Sequence, residues 1–409
     1  MDAHKITVCG GGNGAQALVP IAAHNLGCSV DVYAPFADEA ERLRAGAMAH
    51  DGIEVAGAVR GRALPRRVSA DPAEVIPGSD VVVLVLPAFA HESTLRQIVP
   101  FMEQGAWVGA MPARGGLDYC AARVLAEYDR NDLTLFGLQT LPWACRIRKY
   151  GRLVHVLGVK RTVDVAARPA AKAGEVTSFL ERMLCLSTGT AASMLALTLA
   201  NTGQLIHPGI MYALFADWDG ETFDADHVPL FYHGLSQEGA QTLAGLSNDV
   251  QAIRHGLELA LGNRLNSAAD FLEKGSACGC ADGFCAVRPL KAWLLRSYGE
   301  AIADPSTLHS ALVTNRVYAG LRAPVREVGP GQFVPDFGAR YLAEDVPFGL
   351  AVSRAIARLV GARTPTMDEV IIWAGAQLGK DYLGADAGEA RIPQEYGLES
   401  LEALVAFST

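Results

Sequence analysis

Positive charge is in short supply. The 409 residues include 35 Lys and Arg against 44 Asp and Glu, a net charge of −9. Nucleic acids and anionic membranes are bound through a basic footprint, so neither is expected as a partner. Blocks of like charge, internal repeats and low-complexity linkers are also missing. Only 19% of residues are charged while 50% are apolar, the reverse of a disordered chain. At this length two or three folded domains are expected. No secretory leader is apparent, because Met1-Asp2-Ala3-His4-Lys5 runs straight into a short apolar strand and a glycine turn. A cytoplasmic protein is expected on that ground.

Thr188–Ala216 carries no Asp, Glu, Lys or Arg. It contains Asn201, Gly203, Gln204, His207 and Pro208, which are costly to place in lipid. It therefore reads as a buried helical pair and not as a membrane span. The eight cysteines do not suggest a disulfide framework. Five are scattered, as buried side chains and free thiols usually are. Cys278, Cys280 and Cys285 are bunched in a Gly/Ala-rich loop. Three thiolates could hold zinc with a fourth ligand, but none is nearby, so no metal is expected.

The first half of the chain alternates short apolar runs with helical patterns, the mark of a doubly wound parallel sheet. Ile6–Cys9, Ser29–Ala34, Asp80–Leu86, Trp107–Met111 and Leu133–Leu138 read as its strands, with Ala15–His24 as the first helix. The run Val81–Leu86 does not alternate, as expected of a strand covered on both faces. Leu153–Val159 reads as continuing this sheet, and Thr162–Leu184 as helical. Helical patterns dominate beyond about residue 188. The expectation is an α/β Rossmann-type domain over 1–188 and a helical domain over 189–409, with the boundary near Ser187–Thr190.

Gly10-Gly11-Gly12-Asn13-Gly14-Ala15 directly follows the first strand and opens a helix. This is the setting of the dinucleotide fingerprint G-x-G-x-x-A. Gly10 permits the tight turn, Gly12 lets the backbone approach a pyrophosphate, and Ala15 brings helix and strand close. Free amides at the helix N-terminus then face the phosphates. The second strand ends Val32-Tyr33-Ala34-Pro35-Phe36-Ala37-Asp38, with no acid at its tip. No arginine follows immediately; Arg42 and Arg44 lie on the next helix. NADH is favoured, with NADPH possible.

Two segments carry groups suited to catalysis. His207-Pro208 lies inside the uncharged stretch. Proline disfavours the helical region for the residue before it, so a helix break is expected at His207, with Pro208 opening a new helix. A lone histidine there reads either as a satisfied core side chain or as an acid–base group. Asp336–Pro347 contains Arg340, Glu344 and Asp345. Arg340 and Glu344 stand at i,i+4 spacing, which by itself suits a surface ion pair.

With these residues in view, the chain resembles the opine dehydrogenases, octopine dehydrogenases above all. The resemblance rests on Gly10–Leu18, Phe36–Leu43, Pro87–Glu92 and Leu141–Ile147, then on Ile206-His207-Pro208, Asp217–Gly220, Pro229–Tyr232 and Thr314-Asn315. Asp336–Pro347 and Gly379–Leu383 complete it. It implies a Rossmann domain followed by an all-helical opine domain. The reaction it implies joins an α-keto acid, such as pyruvate, to the amino group of an amino acid by reducing their imine. His207 takes the position of the catalytic histidine, Asp345 that of its aspartate partner, and Arg340 that of the carboxylate-binding arginine. Cofactor contacts fall on Gly10, Gly12, Asn13, Gly14, Ala15 and Pro87. Substrate contacts fall on Arg114, Gln139, Thr140, Trp143 and Cys145. A monomer or homodimer is expected.

The chain departs from that pattern at two places. Gln139 stands where an acid is expected before Thr-Leu-Pro-Trp, and Arg114 stands where a neutral side chain is expected. Both point to neutral or acidic amine donors ahead of arginine and lysine. A keto- or hydroxy-acid dehydrogenase of the same two-domain superfamily is one alternative, though many of these are expected to use a lysine. A cofactor sensor without turnover is another, but would have no use for His207, Arg340 and Asp345 together.

Overall fold

A computed structural model describes residues 3–265, 284–384 and 388–408. The chain divides into two compact units. One comprises Met1–Ala113 and Leu117–Leu197, and the other Arg114–Gly116 and Thr198–Thr409.

Among the described residues the first unit contains twelve strands: β1 (Lys5–Cys9), β2 (Ser29–Tyr33), β3 (Ile53–Gly57), β4 (Gly61–Ala63), β5 (Arg67–Ser69), β6 (Val81–Leu84), β7 (Trp107–Ala110), β8 (Thr134–Leu138), β9 (Trp143–Lys149), β10 (Leu153–Val159), β11 (Thr162–Arg168) and β12 (Ser187–Thr190). Eight of them form the main sheet in the order β12-β11-β8-β7-β6-β1-β2-β5. From β5 to β8 every pairing is parallel. The chain leaves β1 for β2 on one side and reaches β6 on the other, so a topological switch point lies beside the glycine turn. Ligands of open parallel sheets bind at such points. Strands β1, β6, β7 and β8 are buried along their whole length, which explains their unbroken apolar runs.

Three expectations are corrected here. Leu153–Val159 is a strand, but it belongs to a separate four-stranded sheet, β4-β3-β10-β9. Thr162–Arg168 is not helical; it forms β11, antiparallel to β8, and the helix begins only at Ala173. Ser187–Thr190 is an edge strand of the main sheet, parallel to β11.

The second unit is built on helices, chiefly Gly203–Phe215, Gln237–Leu265, Ala351–Val360 and Pro365–Leu378. A small antiparallel sheet joins them, formed by β13 (Phe223–Asp224), β14 (Val325–Gly329) and β15 (Gln332–Pro335). In the long helix, Leu243, Leu246, Val250, Ile253 and Leu257 are buried; three- and four-residue spacing puts them on one face. The helix Gly203–Phe215 packs tightly against it, since a Cβ at Gly209 would lie 2.5 Å from Leu243 Cδ2. Among the described residues no helix is long and apolar enough to cross a membrane.

One polar contact ties two of these helices together. Asp249 is buried, and its Oδ2 accepts the Met367 N–H at 2.7 Å, capping the helix that starts at Pro365. Burial pushes the Asp249 carboxyl from 3.8 up to about 6, against the pull of the Met367 and Thr366 amides. A raised carboxyl means that the folded state holds the proton more tightly. This stabilisation is complete below pH 3.8 and is lost as pH rises through about 6. Asp249→Asn keeps an acceptor but does not titrate. The melting temperature of the parent is expected to fall relative to this variant between pH 4 and 7, by roughly 5 °C. Parallel melting curves across that range would contradict the assignment.

Candidate active site

The glycine turn is fixed from several directions. Gly10 has φ +126°, and a Cβ there would lie 2.6 Å from Val85 O, so both conformation and space require glycine. Gly14 faces Val85 and Leu141, with atoms of each within 3.0 Å of the Cβ it lacks. Gln16 is fully buried; its Nε2 donates to Gly11 O at 2.7 Å and its Oε1 accepts the Gly151 N–H at 2.9 Å. The Asn13 side chain accepts the Ile147 N–H at 2.7 Å, leaving its backbone amide at the helix start. Ala15 is buried against the sheet. Pro87 follows β6 and caps the short turn Ala88–Ala90.

Gly12 is different. Its backbone is extended, with φ −81°, and nothing lies within 4 Å of a Cβ placed there. Neither backbone strain nor packing demands glycine at this exposed helix N-terminus, so the space beside it suits a ligand. Glu39 lies alongside, its Oε2 2.9 Å from a Cβ built on Gly11. That oxygen is buried without a hydrogen-bond partner among the described residues. Burial pushes the Glu39 carboxyl above its usual range, against the pull of Arg42. An open cradle beside Gly12 at the start of the helix, with a half-buried carboxyl alongside, fits a dinucleotide.

The second unit holds a chain of alternating charges. His207 Nδ1 lies 2.7 Å from Asp345 Oδ2. A carboxylate only accepts, so Nδ1 carries the proton and Nε2 is the atom left for chemistry. The imidazole is 20% exposed and the Asp345 side chain 1%, which leaves a route to the ring but not to the acid. Tyr341 stacks on the imidazole, with ring centroids 4.2 Å apart at 14°. Asp345 Oδ1 is 2.7 Å from Arg114 Nη1, and Arg114 Nε donates to Glu344 Oε1 at 3.2 Å. Arg114 Nη1 also donates to Asn201 Oδ1 at 3.3 Å. The other Glu344 oxygen, Oε2, accepts from Arg340 Nε. The Arg340 side chain is 58% exposed, so its guanidinium remains open to a carboxylate ligand.

Local structure explains how these groups meet. The helix Gly203–Phe215 starts after Asn201 and Thr202 and carries Pro208 inside it, so the expected break at His207 is not there. The break lies about two turns earlier, after Ala200. Proline has helical φ and here forfeits one backbone bond early in the helix, and the bias on the preceding residue is not a prohibition. Gly203 leaves room for Arg114, whose Nη1 would be 3.0 Å from a Cβ at that position. Gly115 lets its N–H reach Phe348 O at 2.8 Å, where a Cβ would come within 2.9 Å of that oxygen. Glu344 and Asp345 are both 1% exposed, so the surface reading of the Arg340–Glu344 pair fails for the acid. Buried carboxylates need such partners to offset lost hydration.

The remaining sequence candidates lie in the first unit. Gln139 and Thr140 follow β8 and are buried. Trp143 and Cys145 lie on β9 within the core cluster, and burial pushes the Cys145 thiol up to about 12, so it stays protonated. Arg114, expected to disfavour cationic amine donors, faces two carboxylates, Glu344 and Asp345. Sequence reasoning missed Gln16, Asn201 and Tyr341 as site residues. Glu344 was visible only as an i+4 partner. Cys278 and Cys280 lie outside the described residues, and no metal-ligating cluster of three or more occurs among the described ones.

Comparison with known proteins places the chain in a family. Residues 190–378 match the alpha-helical domain of NAD/NADP octopine/nopaline dehydrogenase. Tauropine dehydrogenase of Arabella iricolor is 33% identical over 98% of this chain and 99% of its own. A solved structure of octopine dehydrogenase with NADH and L-arginine is 32% identical, with TM-score 0.80, covering 98% of this chain and 97% of that one. Another, with NADH and pyruvate, is 31% identical at TM-score 0.79, with the same coverage. A glycine cradle for a dinucleotide, a His–Asp pair and an arginine open to a carboxylate thus occur in a chain that belongs to the opine dehydrogenase family, whose members are NAD(P)-dependent oxidoreductases acting on CH–NH bonds.

Proposed function

We propose that the chain condenses an α-keto acid, such as pyruvate, with the amino group of an amino acid and reduces the resulting imine at the expense of NADH. The observation that carries this reading is the His207–Asp345 pair, 2.7 Å apart and linked through Arg114 and Glu344 to the open guanidinium of Arg340. The bound nicotinamide supplies the hydride. Gly10, Gly12, Asn13, Gly14, Ala15 and Pro87 are the residues that would hold the cofactor, and Glu39 favours NADH because its carboxylate would repel a 2′-phosphate.

The chain's own groups divide the remaining work. Arg340 takes the keto-acid carboxylate in two parallel hydrogen bonds, which fixes the carbonyl carbon. Neutral His207 accepts a proton at Nε2 from the amino acid's ammonium group, freeing the nitrogen to attack that carbon. Loss of water leaves the imine. The protonated imidazole keeps the imine nitrogen protonated while the carbon accepts hydride. Asp345 supports the imidazolium throughout and fixes the ring plane. Gln139, Thr140, Trp143 and Cys145 are assigned to the substrate side of the first unit. Cytoplasmic placement accords with cytoplasmic substrates and cofactor.

A matrix of keto acids against amino acids, followed by NADH absorbance, tests the reading. Oxidation of NADH that needs both substrates is the expected result; oxidation with a keto acid alone would favour a hydroxy-acid dehydrogenase. Gln139 offers an amide where a cationic side chain would need a carboxylate to offset its desolvation. Neutral or acidic donors are therefore expected to exceed arginine and lysine in kcat/KM by about tenfold. Arginine preferred over every such donor would defeat the donor assignment alone.

A further inference from the structure

We infer that Arg114 is a positioning residue of this reaction, acting through Asp345 and Glu344 rather than on the substrate. The inference rests on the proposed reaction for its kinetic readout, but its geometry stands independently.

Each acid of the network has two carboxylate oxygens, and each divides them between Arg114 and a group assigned to chemistry. Asp345 Oδ2 is hydrogen-bonded to His207, and Oδ1 forms an ion pair with Arg114 outside hydrogen-bond geometry, both at 2.7 Å. Glu344 gives Oε2 to Arg340 and Oε1 to Arg114. Arg114 is thus the common partner of the acid that orients the imidazole and the acid that holds the clamp. Its side chain is 8% exposed, and Asn201 accepts a further bond from it.

The charge count explains why a cation belongs there. Asp345 and Glu344 are consecutive and almost wholly buried. With Arg114 present, two guanidinium groups balance two carboxylates. Without it, these buried carboxylates lose a cation that offsets their desolvation, and Asp345 Oδ1 and Glu344 Oε1 lose the guanidinium they face. Asp345 would then rotate, tilting the imidazole, and Glu344 would release Arg340. Lysine cannot replace the fork, because one ammonium does not reproduce the Nε and Nη1 groups that face separate acids.

The test uses Arg114→Gln, Arg114→Lys and the double variant Arg114→Gln with Glu344→Gln. The single variants are expected to lower kcat by about tenfold to a hundredfold, the scale set by small misplacements of reacting groups. NADH affinity should stay unchanged. The double variant, which removes one acid with one base, is expected to recover about tenfold over Arg114→Gln. The second readout is the 15N-histidine spectrum, with the His207 signal assigned by its loss in His207→Ala. That signal should move in Arg114→Gln and return towards the parent in the double variant. Because the spectrum needs no turnover, it tests Arg114 even if no substrate pair is reduced. A rise in substrate KM at constant kcat, no recovery in the double variant, or an unmoved His207 signal would each overturn the inference. Should Arg114→Gln fail to fold, Arg114→Lys carries the same two readouts.

Discussion

His207→Ala is expected to lower kcat by about a hundredfold to ten-thousandfold, the usual worth of a positioned general acid–base. The loss should fall on kcat and kcat/KM alike, because the proton transfers at Nε2 serve steps after binding. NADH affinity should barely change, since the glycine turn belongs to the other compact unit. Asp345→Asn is expected to slow turnover by roughly tenfold to a thousandfold. In that variant the charge paired with Arg114 is lost, and the new amide group faces either His207 Nδ1 or Arg114 donor to donor. The imidazole then loses either its tautomer or its orientation. Steady-state kinetics with the best substrate pair measure both effects. Rates near the parent's in both variants would return His207 to a core role, packed on Tyr341.

What could be read from the sequence follows the range of each interaction. The glycine turn is contiguous, and its setting between β1 and a helix is local, so residues 10–15 were legible as a turn of the dinucleotide-fingerprint type. So were the central strands, whose unbroken apolar runs reflect burial on both faces. Thr162–Arg168 was misread because a short, buried segment rich in valine and alanine suits helix and strand alike. Leu153–Val159 alternates half-buried with buried residues in the fold, but its sequence is apolar on both faces, so one-sided burial was not visible in it. At Pro208 a statistical preference was taken as a stop, and the helix runs through it. The charge network was out of reach. His207 and Asp345 are 138 positions apart, and Arg114 and Glu344 are 230 apart. No periodicity connects such positions; resemblance supplied His207, Arg340 and Asp345. Arg114 departs from the family pattern, and only the fold reveals what it pairs with.

Gly12→Val is expected to abolish NADH binding while leaving the protein folded. The two halves of this expectation have separate grounds. Folding should survive because Gly12 has an ordinary extended φ of −81° and no atom within 4 Å of a Cβ, so a side chain there meets neither strain nor overlap. A surface substitution of this kind typically costs under about 0.5 kcal/mol. Binding should fail because the branched side chain would project into the space in front of the helix amides, where a pyrophosphate must approach the backbone. Gly10→Ala is the contrasting control. There the φ of +126° and the 2.6 Å approach to Val85 O predict a folding defect in addition to lost binding. Cofactor fluorescence titration and thermal melting separate the two variants. Gly12→Val with a parent-like melting temperature and undetectable NADH binding is the expected pair of results. Parent-like NADH affinity in that variant would remove the cofactor from this turn, whatever the kinetics of His207 had shown.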